Sequence, residues 1–257
     1  NMQANLVKTR LNSNDVGRFI EAMYPYKGVY LAQGKLSGTV RKLALKNFQL
    51  GFGTKSVLRG DFSFKGLPEI PKTQMDFVMR NSLFIPQDLG IFISKPAADK
   101  MRILGPVSFS GKFNGTNMNF RTSGQANTGL GFMEGDVSMR LKDSMAFSGY
   151  EGRVALRKFK LGKLLVLEEY LGTIDLAAKI KGTGFSNQSA NVDFDGMISE
   201  INFNRYAYKR VNLKGNLQKQ LFKGTVAVKD SHLVANMSGE INLRQTKPTY
   251  QLDGKVE

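Results

Sequence analysis

Residues 191–198 read Asn-Val-Asp-Phe-Asp-Gly-Met-Ile, in which the apolar Val192, Phe194 and Ile198 alternate with polar residues. Side chains of a β-strand point alternately to its two faces, so this stretch predicts a strand with one apolar and one polar face. The same alternation recurs in Phe62/Phe64, Val107/Phe109, Val226/Val228 and Ile241/Leu243. The sequence therefore predicts an all-β chain whose antiparallel sheet has one apolar and one polar face.

Glycines punctuate these runs at intervals of about one strand plus its turn. Late in the chain they are Gly182, Gly196, Gly215, Gly224, Gly239 and Gly254. Glycine inside a strand marks a bend, a bulge or a close approach of backbones in a curved sheet. We therefore expect residues 1–257 to form a single elongated, repeat-like meander, and expect it to be a piece of a longer protein.

Three stretches interrupt the strand pattern and are expected to be short helices. Residues 14–24 carry apolar side chains at helical spacing and end before Pro25. Residues 86–93 begin with Pro86, which suits the first position of a helix. Residues 161–171 precede Gly172, which we expect to be the C-cap. Such helices either cover an open end of the sheet or dock on a partner or a membrane surface.

Composition excludes most enzyme classes. The 257 residues include no Cys and one His, so disulfide frameworks, thiol nucleophiles and the usual zinc and His-dependent catalytic sites are not expected. We expect no enzyme activity, no metal and no cofactor. No signal peptide is recognised, and no apolar run reaches the roughly 18 residues that a membrane-spanning helix needs.

The few residues that could carry chemistry have simpler interpretations. Ser231 and Asp230 adjoin His232, but catalytic triads are not built from sequence neighbours, and this segment reads as a turn. Asp193 and Asp195 share one face of a strand and could bind calcium or act on a polysaccharide, as in a lyase. We expect them instead to be solvated residues of the polar face. The Gly129 and Gly182 segments lack the spacing of phosphate-binding loops.

The net charge of +16 raises the question of nucleic-acid binding. The basic residues are scattered, however, as Lys35, Arg41, Lys42, Lys46, Lys55, Arg59 and Lys65 show. We therefore expect them on the polar face, where they would attract anionic lipid head groups weakly and bind no nucleic acid specifically.

Several sequence segments, taken in order, resemble the central region of the TamB-like members of the AsmA superfamily, in the form found in Bacteroidota. The resemblance extends from about Gly34 to Gly254. The segments are Asn47-Phe-Gln-Leu-Gly-Phe-Gly53, Gly60-Asp-Phe-Ser-Phe-Lys-Gly-Leu-Pro-Glu-Ile70, Thr73-Gln-Met-Asp76, Lys158-Phe-Lys-Leu-Gly-Lys-Leu-Leu165, Leu171-Gly-Thr-Ile174, Gly196-Met-Ile-Ser-Glu-Ile-Asn-Phe-Asn-Arg-Tyr-Ala-Tyr-Lys209 and Leu213-Lys-Gly215.

The resemblance implies a long, curved antiparallel β-sheet that forms an open, taco-like groove with a few short helices. It further implies a periplasmic protein that is anchored in the inner membrane by a segment missing from this chain and that reaches an outer-membrane barrel protein of the assembly-module type. The implied activity is phospholipid transport between the two membranes. The alternative is a scaffold that assists the assembly of outer-membrane proteins by pairing with their strands.

An apolar sheet face must be covered by a second sheet, by closure into a sandwich or by lipid chains, and the sequence leaves these three open. For the lipid groove we expect one apolar face lined by Phe62, Phe64, Val107, Phe109, Phe113, Val192, Phe194, Ile198, Leu213, Leu217, Val226, Val228, Ile241 and Leu243.

Overall fold

A computed structural model of the chain describes residues 1–14, 28–91, 98–99, 101–186, 188–242, 244 and 249–256. The chain packs as two compact units, Asn1–Gly129 (unit 1) and Leu130–Glu257 (unit 2). The expectation of a single elongated segment over 1–257 stays a prediction, and each unit has its own packing.

Unit 1 is an antiparallel meander of seven strands, each paired with the next along the chain. Short 3-10 helices lie at Ile70–Lys72, Pro86–Ile91 and Arg102–Leu104. The strands are β1 (Met2–Asn12), β2 (Val29–Thr39), β3 (Lys42–Phe52), β4 (Ser56–Lys65), β5 (Gln74–Phe84), β6 (Val107–Gly115) and β7 (Asn119–Thr128).

Unit 2 repeats this plan with eight strands, again paired in chain order. A 3-10 helix lies at Met145–Phe147 and one α-helix turn at Leu161–Leu165. The strands are β8 (Gly131–Arg140), β9 (Gly149–Lys160), β10 (Leu171–Thr183), β11 (Asn191–Phe203), β12 (Tyr206–Gln218), β13 (Leu221–Lys229), β14 (Val234–Asn242) and β15 (Thr249–Val256).

The prediction of an all-β chain with an open antiparallel sheet is confirmed, because the strands are ordered as in the chain and the sheet does not close. Of the three expected helices, residues 15–24 of the first lie outside the described residues. In the second, Pro86–Ile91 is a 3-10 helix, and residues 92–93 are outside the described part.

The third expected helix, 161–171, is wrong in its length. It ends at Leu165, with Val166 in the left-handed conformation as its C-cap, and Leu171 and Gly172 already belong to β10. The chain turns back because the N–H of Leu167 donates to the carbonyl of Gly162 at 2.8 Å. The spacing of the leucines alone does not show this reversal.

β-Bulges keep apolar side chains on one face along strands of eleven to thirteen residues. In β3 the register shifts between Leu45 and Phe48, and the extra residue Asn47 has φ 46°. Leu43 and Leu45 before the bulge therefore share a face with Phe48, Leu50 and Phe52 after it. Comparable residues with φ 46° are Lys8 in β1, Asn81 in β5 and Lys158 in β9.

Side chains of the following strand satisfy the backbone N–H groups that these bulges leave unpaired. The N–H of Asn47 donates to Asp61 Oδ1 at 2.8 Å, and that of Asn81 donates to Ser110 Oγ at 2.8 Å. In unit 2 the N–H of Lys158 donates to Asp175 Oδ1. The same bulge arrangement thus occurs in both units, as expected for a repeat, since a bulge leaves an N–H without its partner in the ladder.

Part of the apolar face of unit 1 is buried by the side chains of that same face. Phe62 is only 4% exposed and packs with Ala32 and Phe48, and the main contacts of each described strand of this unit are with its neighbours in the sheet. Side chains of one face bury each other more where the sheet curves toward them, so this burial is consistent with a curved, open sheet.

Candidate lipid-binding face

A ladder of phenylalanines runs across the apolar face of unit 1. Phe62, Phe77 and Phe113 stand directly opposite each other in β4, β5 and β6. Their ring centroids are 5.3 Å apart at both steps, and the ring of Phe120 in β7 stacks on Phe113 at 4.7 Å. Directly opposed residues share a face, so the expected lining residues Phe62 and Phe113 lie together.

The other expected residues of unit 1 lie on the same face. Phe64 is two residues from Phe62 in β4, and its ring centroid is 5.2 Å from that of Phe77. Phe109 and Val107 stand opposite Ser82 and Phe84 of β5. Unit 1 therefore carries five of the predicted lining residues on one face.

Paired glycines make room for rings that lie flat against the sheet. Gly111 and Gly124 are direct cross-strand partners, and a Cβ at either would come within 3.1 Å of the Phe109 ring. In unit 2 the pair Gly215 and Gly224 stands in the same relation to Phe222. The glycines that punctuate the sequence thus provide close approach of a ring to the backbone, in addition to bends.

Unit 2 has its own apolar face, formed by the next set of expected residues. Val192 stands opposite Leu217, Ile198 opposite Val211, and Leu213 opposite Val226. Phe194 stacks on Phe222 across the Gly215–Gly224 pair at 5.5 Å. By the same register the described residues Val192, Phe194, Ile198, Leu213, Leu217, Val226, Val228 and Ile241 share this face. Leu243 lies outside the described residues.

The apolar faces of unit 1 and unit 2 also contain apolar residues that were not predicted from the sequence. The same period-2 alternation was present for most of them, but a bulge reverses the alternation within a strand and hides it. The missed residues include Leu43, Leu45, Phe48, Leu50, Phe52, Met75, Phe77, Met79 and Phe120 in unit 1, and Val154, Leu156, Leu176, Ile180, Val211, Phe222 and Met237 in unit 2.

Both apolar faces remain partly accessible. Phe64, Phe113, Phe194, Leu213 and Val226 are half-buried, whereas Phe62, Ile198 and Val228 are buried. The faces contain aromatic, aliphatic and methionine side chains with few polar groups among them. Such a surface can accept hydrocarbon without requiring a hydrogen bond from it.

The opposite face is polar and its charges pair across strands. Asp195 pairs with Lys214 at 3.6 Å, and Asn216 Nδ2 donates to Asp193 Oδ1 at 2.8 Å. Lys181 pairs with Glu151 at 3.5 Å in the next strands. Asp193 and Asp195 are therefore exposed residues of the polar face, as predicted. The hollow of about 790 Å³ across β9–β12 is lined by these paired residues and also by Ile180 and Phe194.

Basic residues of unit 1 also lie on its polar face. Lys35 stands opposite Lys46, Lys42 opposite Lys65, and Arg59 opposite Gln49, all on the side away from the phenylalanine ladder. Among the described residues no three His, Asp or Glu side chains come together as metal ligands. Likewise, none of the helices in the described ranges has the length and hydropathy of a membrane span.

The His232 segment is a turn, as predicted. The side chain of Asp230 is 3% exposed and accepts hydrogen bonds from the Tyr206 hydroxyl at 2.6 Å and from the N–H of Lys209 at 2.9 Å. Ring nitrogen Nδ1 of His232 lies within 2.9 Å of both the Tyr206 and the Ser231 hydroxyls. A triad needs its Ser and its Asp on different ring nitrogens, so this cluster holds the β13–β14 turn and is not a triad.

These hydrogen-bond donors make the contribution of Asp230 to the stability of the fold depend on pH. The hydrogen bond from Tyr206, followed by that from the His232 N–H, lowers the pKa of Asp230 from 3.8 to about 2. Because the folded pKa lies below the unfolded one, the carboxylate stabilises the fold above pH 3.8, and this contribution is lost as the pH falls through about 2.

We expect Asp230→Asn to lower the unfolding temperature at neutral pH, since the amide cannot replace a carboxylate that receives four donors. The difference from the unaltered protein should shrink as the pH falls from 3.8 toward about 2. Thermal unfolding followed by circular dichroism measures it. Asp253→Asn, at an exposed residue of β15, is the control, and an equal effect there would refute the assignment.

Comparison with protein-family models, with curated proteins and with solved structures found no significant match to this chain.

Proposed function

We propose that this chain is a segment of a bridge-like periplasmic protein whose apolar faces carry the acyl chains of phospholipids between the inner and the outer membrane. The observation that carries the proposal is an apolar sheet face in each unit that no second sheet covers among the described residues. A closed sandwich would bury such a face against another sheet. Acyl chains cover it without needing polar partners or catalytic groups.

The chemistry of the two faces fits this role. Hydrocarbon transferred from water to an apolar surface gains about 0.8 kcal/mol per CH₂, so even partial coverage of a chain is favourable. The polar face, with its cross-strand ion pairs, stays hydrated. The proposed partners are phospholipids, an outer-membrane barrel protein and the inner membrane, the last through a segment outside this chain.

The experiment is binding of a fluorescent phospholipid to the purified, delipidated chain. We expect saturable binding that unlabelled phospholipid displaces and that a soluble head-group analogue, such as glycerol phosphate, does not. Displacement by the head-group analogue alone would contradict acyl-chain recognition, and absence of binding would refute the proposal.

A scaffold for outer-membrane proteins is the second candidate, and one observation favours it. Strand β1 pairs only with β2 among the described strands, so the outer edge of its backbone has no partner in the described part of the chain. A client strand could add there by backbone hydrogen bonds. Crosslinks from β1 to client strands, in a protein that binds no phospholipid, would replace the first proposal by this one.

A further inference from the structure

An exposed apolar tip ends the β9–β10 hairpin of unit 2. Four consecutive residues, Leu164–Leu167, are exposed, and Val166 is 82% exposed. Tyr170 and Phe203 beside them are exposed as well. Scattered apolar residues on a surface are ordinary, but a contiguous set of this kind marks an interaction site. This set is called the apolar tip below.

The apolar tip is held in place by the sheet. The N–H of Leu171 donates to the carbonyl of Leu167 at 2.8 Å, and the N–H of Asn204 donates to the carbonyl of Tyr170 at 2.8 Å. These bonds tie the tip to the start of β10 and to the neighbouring β11–β12 turn. The exposure of its side chains is therefore a property of a hydrogen-bonded structure and not of a loose loop.

Backbone strain accompanies this exposure. Val166 has φ 57° and ψ 42°, the left-handed conformation that β-branched residues avoid. Asparagine or glycine would adopt this conformation more easily, so the position carries valine at a cost in stability. An apolar side chain that is both strained and exposed points to a role outside the fold itself.

Cations flank the apolar tip. Lys160 and Lys163 lie at the helical turn and Arg205 in the β11–β12 turn, and none of the three forms an ion pair with a described residue. Glu168 and Glu169 are the opposing charges of the tip, whereas Lys209, farther along β12, stands opposite Glu200 and donates its N–H to Asp230. Aliphatic side chains with aromatic residues and flanking cations are typical of segments that insert into the head-group region of a bilayer.

We propose that the apolar tip docks unit 2 on an anionic bilayer, with Leu164–Leu167 entering the head-group layer and Lys160, Lys163 and Arg205 lying over it. Each Lys or Arg near such a surface contributes about 1 kcal/mol, and the effect is screened by salt. The tip thereby goes beyond the proposed carriage of lipid, because Leu164–Leu167 lie in the β9–β10 connection and not in the strands that form the apolar face of unit 2.

The test is flotation of the purified chain with vesicles of phosphatidylcholine containing about 30% phosphatidylglycerol, against pure phosphatidylcholine. We expect binding to the anionic vesicles that weakens as salt rises from about 0.05 to 0.5 M. Val166→Asn should reduce that binding about tenfold while leaving the unfolding temperature equal or higher, because asparagine tolerates the left-handed conformation. Leu165→Gln should reduce binding similarly.

The matched control is Val7→Asn, which removes a 71% exposed valine from β1 of unit 1 and should leave vesicle binding unchanged. Equal binding by Val166→Asn, Leu165→Gln and the unaltered chain would overturn the proposal, as would failure of the unaltered chain to bind anionic vesicles. Val166→Asn should still bind the fluorescent phospholipid. If the unaltered chain does not bind the fluorescent phospholipid but does bind anionic vesicles, the proposed function is refuted and the docking of the apolar tip on a bilayer is retained.

Discussion

Asp88→Ala should destabilise unit 1 by about 2–4 kcal/mol, since it removes a carboxylate that receives several charge-assisted hydrogen bonds. The side chain lies in the 3-10 helix Pro86–Ile91 and accepts from the N–H groups of Thr54, Lys55 and Ser56 at 2.8–3.2 Å. The Ser56 hydroxyl donates to it at 2.7 Å. Asp88 thus fastens the end of β5 to the β3–β4 turn.

The cost comes from donors that remain buried. Ser56 is 1% exposed, so its N–H cannot turn to water when the carboxylate is removed. Burial alone would raise the pKa of Asp88, but the donors from Thr54, Ser56 and Lys55 outweigh it and hold the pKa below 3.8. The carboxylate is therefore the charged, hydrogen-bonded form at neutral pH.

Denaturant unfolding measures this effect, and Asp76→Ala is its control. Asp76 is an exposed residue on the polar side of β5, and its replacement should change stability by less than about 0.5 kcal/mol. Equal losses for the two variants would show that Asp88 does not fasten the turn. Gly53 belongs to the same contact, since it has φ 61° and a Cβ there would lie 2.2 Å from Asp88 Cγ.

Val226→Asp should abolish most phospholipid binding while leaving unit 2 folded. Val226 is half-buried on the apolar face, opposite Leu213 and Met237. A carboxylate there would stay hydrated in the open face, but it would have to lose water when an acyl chain lies over it, which costs several kcal/mol. We expect at least about a tenfold loss of affinity, equivalent to about 1.4 kcal/mol.

The matched control is Thr225→Asp on the same strand. Thr225 faces the polar side, opposite Lys214, so a carboxylate there meets a cation and water. Fluorescent phospholipid titration and thermal unfolding are measured on both variants and on Phe194→Asp. Unfolding of both apolar-face variants would indicate a closed core, whereas folded variants that bind phospholipid normally would remove Val226 and Phe194 from the lipid site.

The alternation in the sequence was sufficient to assign groups of residues to one face within each unit. Phe62 and Phe64, or Val226 and Val228, needed only the period of two residues. Positions after a bulge could not be assigned in this way, because nothing in the sequence marks Asn47 and Lys158 as the extra residues of bulges. Their bulges depend on acceptors in the next strand, Asp61 and Asp175, which only the pairing brings into contact.

The polar face was predicted in outline but not in its pairing. Lys214 and Asp195 are nineteen residues apart, and Lys223 and Glu240 are seventeen apart, so the register of the hairpins decides which charges meet. The end of the 161–165 helix was missed for a similar reason. Its capping bonds involve the start of β10, and the leucine spacing carries no information on them.

The central claim, that acyl chains lie on the apolar faces, is tested most directly by photocrosslinking in cells from a photoreactive amino acid placed at Phe194. The control position is Met197, which lies on the opposite face of the same strand and is 57% exposed. We predict phospholipid adducts from position 194, identified by mass spectrometry, and few or none from position 197. Absence of phospholipid adducts at 194, or equal yields at the two positions, would contradict the claim.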